Sequence, residues 1–200
     1  MMGIKKYFKL LFWNKLLQFR YQTEFRLKGL KKGGAIDSGL YAHNLKYVSI
    51  GKNIKLKRNW RIECYPRFGS LKLSPQLSIG DNVIINYGFT AFVADKIEIG
   101  SNCIFAANVT FISENHGINP ESEKPYHSQD LTTGPIFIGE GCWLGQNVCV
   151  LPGVHIGNKC IVGTNAVVNK DIPDNSIAVG IPAKVVKRYN FEKHKWERMN

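Results

Sequence analysis

Cysteine is scarce in this chain and follows no ligand pattern. The 200 residues include five cysteines, and no two of them form a C-x-x-C pair or another metal-ligand spacing. A disulfide-rich secreted scaffold and a zinc ribbon are therefore excluded. The cysteines that we expect to be small buried residues in a reducing compartment are Cys64, Cys103, Cys142, Cys149 and Cys160.

Long apolar runs are also missing. The first residues, MMGIKKYFKLLFWNKLL, have a basic start, but Lys15 interrupts the apolar stretch and no small-residue cleavage site follows. Nothing approaches the roughly 20 apolar residues of a membrane span. The sequence therefore predicts no signal peptide, no membrane-spanning segment and a cytoplasmic location.

Acidic residues are few, 15 against 27 Lys and Arg, and the formal charge is +12. The excess lies at the ends: residues 1–32 have nine basic and one acidic side chain, and residues 184–200 have six and two, whereas residues 33–183 have twelve of each. A neutral body lacks the interleaved basic and aromatic residues of a nucleic-acid groove. Basic ends fit anionic lipid or a phosphorylated small molecule better, so no nucleic-acid partner is predicted.

A six-residue repeat is the main positive feature. Aliphatic residues recur every sixth position at Ile138, Leu144, Val150, Ile156, Val162 and Val168. Small or aliphatic residues stand four places after each, at Cys142, Val148, Val154, Cys160, Ala166 and Ile172. The frame returns upstream at Ile79, Ile85 and Ala91, at Ile99, Phe105 and Phe111, and more weakly at Ile50, Leu56 and Ile62. A period of six matches neither a helix nor an ordinary sheet.

Such a repeat predicts a parallel β-helix. Each hexad is one short strand and one turn, three hexads close a triangular coil, and stacked coils bury the aliphatic column. Gly and Asn provide the backbone freedom of the corners. We expect an all-β core in a domain of residues 33–183, with an excursion loop at 117–135 and about five coils at 50–67, 79–96, 99–116, 138–155 and 156–173.

The stretch GCWLGQNVCVLPGVHIGNKCIVGTNAVVNKDIPDNSIAVGIPAKVVKR, Gly141 to Arg188, carries a family resemblance. Over residues 48–188 the chain resembles the hexapeptide-repeat acyltransferases, in particular the galactoside, maltose and xenobiotic acetyltransferases and the capsule and O-antigen O-acetyltransferases. The resemblance implies a left-handed β-helix and a homotrimer with sites between subunits. It also implies metal-free transfer of acetyl from acetyl-CoA to a carbohydrate hydroxyl, in surface-polysaccharide biosynthesis.

The resemblance assigns two catalytic residues. In that family, a histidine at the end of a coil, just before an excursion loop, is the general base, and His116 occupies that place. Imidazoles titrate near neutral pH, so this group can take the hydroxyl proton and return it to the leaving thiol. Asn86 matches an acceptor-binding asparagine, although a corner asparagine is the alternative. Glu114, two residues before the histidine on an extended chain, is placed to orient it.

The remaining site residues also follow from the resemblance. Acceptor contacts are assigned to Asp95, Tyr126, His127 and Trp143, with a loop cap, a surface position or simple packing as the alternatives. Contacts to coenzyme A are assigned to Gly145, Gln146, Gly163, Thr164, Lys170, Lys184 and Lys187, with the lysines on the phosphates. The N–H of Gly145 is the expected oxyanion donor. Gln146 and Asn169 depart from the family, which favours a small residue and a threonine there.

The two termini leave alternatives open. In residues 1–32, apolar side chains at three- and four-residue spacing predict an amphipathic helix that ends at KKGG. These apolar residues are Ile4, Phe8, Leu11, Phe12, Leu16 and Phe19. Basic residues surround them, at Lys5, Lys6, Lys9, Lys15 and Arg20. This helix either makes a peripheral contact with anionic lipid or caps the end of the β-helix. Residues 184–200 are predicted to form a basic tail or a short helix.

Three other functions share this fold. An N-acetyltransferase acting on an amino sugar or a nucleotide-linked sugar differs only in its acceptor. A zinc carbonic anhydrase needs several clustered histidine ligands, whereas His116 and His127 are eleven residues apart with no H-x-x-x-x-H. A non-catalytic scaffold needs neither the histidine nor a coenzyme A groove.

Overall fold

One helix precedes an all-β body. The computed structural model describes the backbone of residues 4–199 and the side chains of residues 12–199. Helix α1 spans Ile4–Lys31 and is followed by short strands, numbered β1 to β24 along the chain. The predicted β core and the predicted N-terminal helix are both confirmed.

Three parallel sheets form the sides of a triangular β-helix, and we name them faces A, B and C. Face A consists of β1 Ala35–Ile36, β4 Lys55–Leu56, β9 Ile84–Ile85, β12 Ile104–Phe105, β17 Trp143–Leu144, β20 Ile161–Val162 and β22 Ser176–Val179. Face B consists of β2 Tyr41–His43, β5 Arg61–Cys64, β10 Thr90–Val93, β13 Thr110–Ile112, β18 Cys149–Val150 and β21 Val167–Val168. Face C consists of β3 Val48–Ile50, β8 Gln76–Ile79, β11 Lys96–Ile99, β16 Ile136–Ile138 and β19 His155–Ile156.

Each strand pairs with the equivalent strand of the next coil, so the repeat residues stack inside. Ala91, for example, pairs with Ile62 on one side and with Phe111 on the other, and all three are fully buried. The first coil begins at Ala35, upstream of the predicted coils, and the last is closed by a single bridge from Ile156 to Ile172. The predicted repeat frame therefore runs through the core.

Asparagines at positive φ turn the corners and bond to one another along the stack. Asn108, Asn147 and Asn165 have φ near 60°. The amide of Asn108 donates to Asn147 over 3.1 Å, and that of Asn147 donates to Asn165 over 2.9 Å. Asparagine tolerates this left-handed conformation better than most residues, so the ladder both turns the chain and ties neighbouring coils.

Helix α1 covers the open end of the stack. The side-chain amide of Gln18 donates to the carbonyl of Ala42 over 2.7 Å and accepts from its N–H over 2.8 Å. Phe25 is buried against the ring of Trp60, with ring centroids 5.5 Å apart. The helix thus satisfies backbone groups that the first coil leaves without a strand partner. The side chains of Ile4, Lys5, Lys6, Phe8, Lys9 and Leu11 lie outside the described residues.

Two segments leave the stack where one was predicted. Residues between β13 and β16 form a loop whose stem is an antiparallel pair, β14 Glu114–Asn115 and β15 Thr132–Thr133. Residues between β5 and β8 form a hairpin of β6 Arg67–Phe68 and β7 Leu71–Lys72. Single 3-10 turns occur at Leu45–Tyr47 and Tyr126–Ser128. Both excursions leave the same corner of the β-helix, at the end of face B.

The prediction of a short C-terminal helix is wrong. Strands β23 Lys184–Asn190 and β24 Lys195–Arg198 form an antiparallel hairpin that extends face A. Aromatic packing across the hairpin favours strands over a helix, since the ring centroids of Tyr189 and Trp196 are 5.3 Å apart.

Two expectations about composition can be compared with the structure. The cysteines are free thiols, four buried and one, Cys149, half-buried, as predicted. Over the residues that the structure describes, no helix combines the length and the apolar character needed to cross a bilayer.

Candidate functional site

The predicted site residues fall on two different corners of the β-helix. The AB corner, where the chain passes from face A to face B, stacks Asn86, Ala106, Gly145 and Gly163 directly after β9, β12, β17 and β20. The BC corner follows face B and holds Tyr65, Asp95, Glu114 and His116. Face B separates the two corners by about five residues of extended chain, or roughly 15 Å.

His116 lies at the BC corner, directly after the stem strand β14. Its side chain is exposed, and its ring packs edge to face against Phe68 of the β6–β7 hairpin, with centroids 5.4 Å apart and planes at 68°. Among the described residues, no hydrogen bond or ion pair reaches its ring. Both ring nitrogens are thus left available for an acceptor hydroxyl.

The β6–β7 hairpin is a part of the site that sequence reasoning missed. The buried repeat position Ile79 comes seventeen positions after Ile62, whereas consecutive repeat positions are six apart. That surplus indicated an excursion before the second predicted coil. The hairpin reaches from there to His116, which belongs to a later coil.

Beneath the histidine, face B carries a buried polar cluster. The carboxylate of Glu63 is almost fully buried, accepts a hydrogen bond from the Arg61 guanidinium and accepts another from the Tyr65 hydroxyl over 2.7 Å. Arg61 also lies over the ring of Phe92, 4.9 Å from its centroid. Burial, followed by the bond to Glu63, raises the pKa of the Tyr65 hydroxyl. Arg61 and Tyr65 together offset the cost of burying the Glu63 carboxylate.

Glu114 lies near this polar cluster and makes no hydrogen bond to His116 in the described part of the chain. Burial raises the pKa of its carboxyl to about 7; its own backbone N–H opposes the shift, and the charge of Glu63 adds to it. Its Oε2 atom is buried, and no residue that the structure describes gives it a hydrogen bond. The structure therefore gives no support to a contact in which Glu114 orients His116.

Asp95 lies at the same corner, one coil below the histidine. Its carboxylate accepts a hydrogen bond from the N–H of Lys96 over 2.7 Å, and its own N–H donates to the hydroxyl of Ser113 over 3.1 Å. Ser113 is fully buried and also receives the N–H of Ala94. Asp95 therefore caps its turn and is half-buried.

Asn86 lies at the AB corner and uses its amide within the chain. Its side-chain N–H group donates to the carbonyl of Phe105 over 3.0 Å, which leaves the amide oxygen for other partners. Because face B lies between them, Asn86 and His116 of one chain do not contact the same hydroxyl group.

The excursion loop presents the other predicted acceptor residues. Tyr126 and His127 are exposed on its 3-10 turn. The buried amide of Gln129 organises the loop, since it donates to the carbonyls of Asn119 and Lys124 over 2.9 and 3.0 Å. Trp143 is elsewhere, half-exposed on the outer side of face A.

Gly145 does not have a free N–H for an oxyanion. Its N–H donates to the carbonyl of Val162 over 2.8 Å in the ladder between coils. A Cβ at this position would approach the backbone nitrogen of Thr164 to 2.7 Å, which explains why the position is glycine. The expectation that this N–H stabilises the oxyanion is therefore wrong. Gly145 instead allows the close packing of neighbouring coils at the AB corner.

The other residues assigned to coenzyme A lie at or near the C-terminal end of the stack. Gln146 and Thr164 are exposed and follow Gly145 and Gly163 at the AB corner. Gly163 donates to the carbonyl of Ala178 over 2.8 Å. The lysines lie further along: Lys170 follows β21 at the BC corner, and Lys184 and Lys187 are on β23. Residues 4–199 contain no cluster of three or more His, Cys, Asp or Glu side chains arranged to hold a metal ion.

Residues 135–170 match the family described as bacterial transferase hexapeptide (six repeats). The chain is 32% identical over 164 residues to the putative lipopolysaccharide biosynthesis O-acetyl transferase WbbJ of Escherichia coli K12, covering 79% of this chain and 80% of that protein. It is 34% identical to the galactoside O-acetyltransferase of Escherichia coli K12 over 114 residues, which cover 57% of this chain and 55% of that relative.

Solved structures of the same kind superpose on the chain. A maltose O-acetyltransferase from Clostridium difficile 630 is 31% identical, with a TM-score of 0.58 over 72% of this chain and 71% of that one. A hexapeptide-repeat acetyltransferase from Vibrio cholerae, complexed with acetyl coenzyme A, is 24% identical with a TM-score of 0.58, over 76% and 71% of the two chains. AntD, an N-acyltransferase from Bacillus cereus, is 16% identical with a TM-score of 0.64 over 80% and 83%.

These likenesses agree with the coils, the six-residue frame and the corner asparagines. The last two structures, under 25% identical, show the shared fold alone, and the hexapeptide-repeat likeness implies the left-handed β-helix. The first relative covers most of both chains at more than 30% identity. The chain therefore belongs to the hexapeptide-repeat acetyltransferase family.

Proposed function

We propose that this enzyme transfers an acetyl group from acetyl-CoA to a hydroxyl of a carbohydrate, with His116 as the general base. The observation that carries the proposal is the state of His116, which stands exposed at the BC corner, packed on Phe68 but with no hydrogen-bond partner among the described residues. The similarity of the chain to O-acetyltransferases of lipopolysaccharide and small sugars supports a hydroxyl group as the acceptor.

The chemistry requires one proton to move twice. A ring nitrogen of His116 takes the proton of the acceptor hydroxyl while the oxygen attacks the thioester carbonyl carbon. When the carbon–sulfur bond breaks, the imidazolium returns the proton to the leaving thiolate. The products are an acetyl ester and free coenzyme A, and the histidine ends as it began. Proton transfer of this kind contributes about 10² to 10⁴ in rate.

The proposed site needs a second copy of the chain. Asn86 and His116 lie on opposite sides of face B, roughly 15 Å apart, so one hydroxyl cannot contact both in one chain. We infer that the His116 corner of one subunit faces the Asn86 corner of the next, in a homotrimer with three equivalent sites. Asp95, on the same corner as the histidine, and Tyr126 and His127 of the excursion loop then wall the acceptor.

Face A offers an apolar surface for such an assembly. Its outward positions form a continuous row that follows the register of the sheet, Ile84, Ile104, Trp143, Ile161 and Ile177. All five are half-buried or exposed in the single chain. Contiguous apolar rows of this kind are rarely left in water, which supports self-association.

The acetyl donor is assigned to the AB corner. Gln146 and Thr164 are exposed along it, so their side chains are available to contact the pantetheine chain. Lys184 and Lys187 on β23 supply cations at the C-terminal end of face A, and Lys170 of the BC corner supplies one from the neighbouring subunit, where the phosphates of coenzyme A need them.

A panel of acceptors tests the proposal. Purified enzyme with acetyl-CoA is offered neutral sugars, amino sugars, nucleotide sugars and oligosaccharides, and free thiol and product mass are measured. We expect thiol release with at least one hydroxyl acceptor and a mass gain of one acetyl group on oxygen. Acetylation confined to amines would show an N-acetyltransferase instead, and no acetyl-CoA binding would refute both.

A further inference from the structure

Helix α1 has two sides with different roles. The inner side, defined by Gln18, Gln22, Phe25 and Gly29, lies on the first coil, where the N–H of Gly39 donates to Gln22 over 3.0 Å and Gly29 packs against Ile36. These residues recur at spacings of four, three and four, as expected for one side of a helix. The capping role that the sequence left open is thus a property of this inner side.

A second side of the helix carries an apolar stripe, of which Leu27 and Leu30 also border a cavity with Ala35, Ile36 and Asp37. We define the outer stripe as Phe12, Leu16, Phe19, Leu27 and Leu30, which are 64, 45, 71, 52 and 68% exposed. With Thr23 between Phe19 and Leu27, the stripe repeats every three or four residues and extends over about 27 Å of helix. It lies roughly 130° around the helix from the inner side.

Positive charge borders the stripe on both sides. Lys15 and Arg26 flank it on one edge and Arg20 and Lys31 on the other, and all four are exposed. The only acidic residue of positions 1–32, Glu24, forms an ion pair with Arg20 over 2.8 Å. Trp13, half-exposed, adds a ring of the kind that favours the boundary between lipid and water.

We propose that the outer stripe docks on the surface of an anionic lipid bilayer. An apolar stripe between two basic edges matches an interface in which acyl chains lie below negative headgroups. A second copy of the chain fits less well, because two stripes face to face would bring their basic edges together. The inner side stays on the first coil, so docking requires no change of fold and holds the enzyme at the membrane.

Vesicle flotation of the full chain tests this docking. Vesicles of phosphatidylcholine alone are compared with vesicles that contain about one third phosphatidylglycerol. We expect flotation only with the anionic vesicles, reduced by salt because screening weakens the attraction. Phe19→Ser with Leu30→Ser should lower vesicle partitioning about tenfold or more, since two large apolar side chains are lost from the lipid contact.

The matched control removes equally exposed apolar groups elsewhere. Ile118→Ser with Phe191→Ser changes the excursion loop and the C-terminal hairpin, and should float like the unmodified chain. Circular dichroism checks that both double variants fold, which they should because neither touches the core. Failure of the full chain to float with anionic vesicles, or an equal loss in the control, overturns the proposal. Light scattering without vesicles gives the size of the assembly. A smaller assembly for the stripe variant would show that a second copy of the chain covers the outer stripe, which also overturns the proposal.

Discussion

At the residue scale, neighbouring carboxyls on face B meet different surroundings. Glu63 is buried and accepts hydrogen bonds from Arg61 and Tyr65, so each of its carboxylate oxygens has a partner. Glu114, close by, has a buried oxygen to which no described residue gives a hydrogen bond, and the charge of Glu63 opposes its ionisation. Burial and the neighbouring charge therefore both favour the neutral form of Glu114.

This difference predicts a pH-dependent stability at Glu114. The pKa of this carboxyl is raised to about 7 in the folded chain, so between pH 4.5 and 7 the folded chain binds more protons than the unfolded chain. The contribution of the group to stability is therefore full below pH 4.5 and is lost as pH rises through 7. Glu114→Gln cannot ionise. At pH 8 the melting temperature of Glu114→Gln should exceed that of the unmodified chain. The corresponding gain in the free energy of unfolding is about 1 kcal/mol after allowance for solvent screening.

At pH 5 the advantage of Glu114→Gln should disappear. Thermal unfolding followed by circular dichroism at pH 5, 6, 7 and 8 gives the comparison. Glu121→Gln, an exposed carboxyl in the excursion loop, is the control and should show no pH-dependent gain. A constant difference between Glu114→Gln and the unmodified chain at all four values would contradict the assignment.

At the scale of elements, the regular parts of the fold could be read from the sequence and the additions could not. The coils follow from the aliphatic frame because only one arrangement buries a residue every sixth position. The first coil carries the same frame at Ile36, Ala42 and Val48, but a small residue in the middle weakens the pattern. The β6–β7 hairpin and the C-terminal hairpin have no repeat, since cross-strand partners and a neighbouring coil hold them.

The candidate site divides in the same way. The family resemblance assigned His116, at the point where the repeat stops, and Asn86, at the matching place in the frame. Phe68 was not assigned, since its contact with His116 joins residues 48 positions apart. The fate of the Gly145 N–H also depends on the neighbouring coil, which a linear pattern does not describe.

The capping role of helix α1 gives a prediction at this scale. Gln18→Ala leaves the buried backbone N–H and C=O of Ala42 without partners, so the free energy of unfolding should fall by about 1–3 kcal/mol. Urea unfolding measures the loss, and the Ala42 amide should exchange faster with solvent. Asn14→Ala, one turn earlier and exposed, should cost little; equal losses in the two variants would show that the amide bonds to the first coil are unimportant.

At the scale of the whole molecule, the proposed pairing of Asn86 and His116 across subunits predicts that activity depends on assembly. Complementation tests this directly. His116→Ala chains and Asn86→Ala chains, each inactive alone, are unfolded together and refolded in equal amounts. Shared sites between subunits should restore about one quarter of the unmodified activity, because a quarter of the sites then pair two intact residues. Sites contained within one chain would stay inactive in the mixture.

His116 is proposed to move the proton in acetyl transfer. The most direct measurement is acceptor-dependent thiol release by His116→Ala, with acetyl-CoA affinity determined on the same sample by calorimetry. We predict unchanged assembly, unchanged acetyl-CoA affinity and a turnover lower by about 10² to 10⁴. Turnover near that of the unmodified enzyme, with acetyl-CoA still bound, would contradict the account.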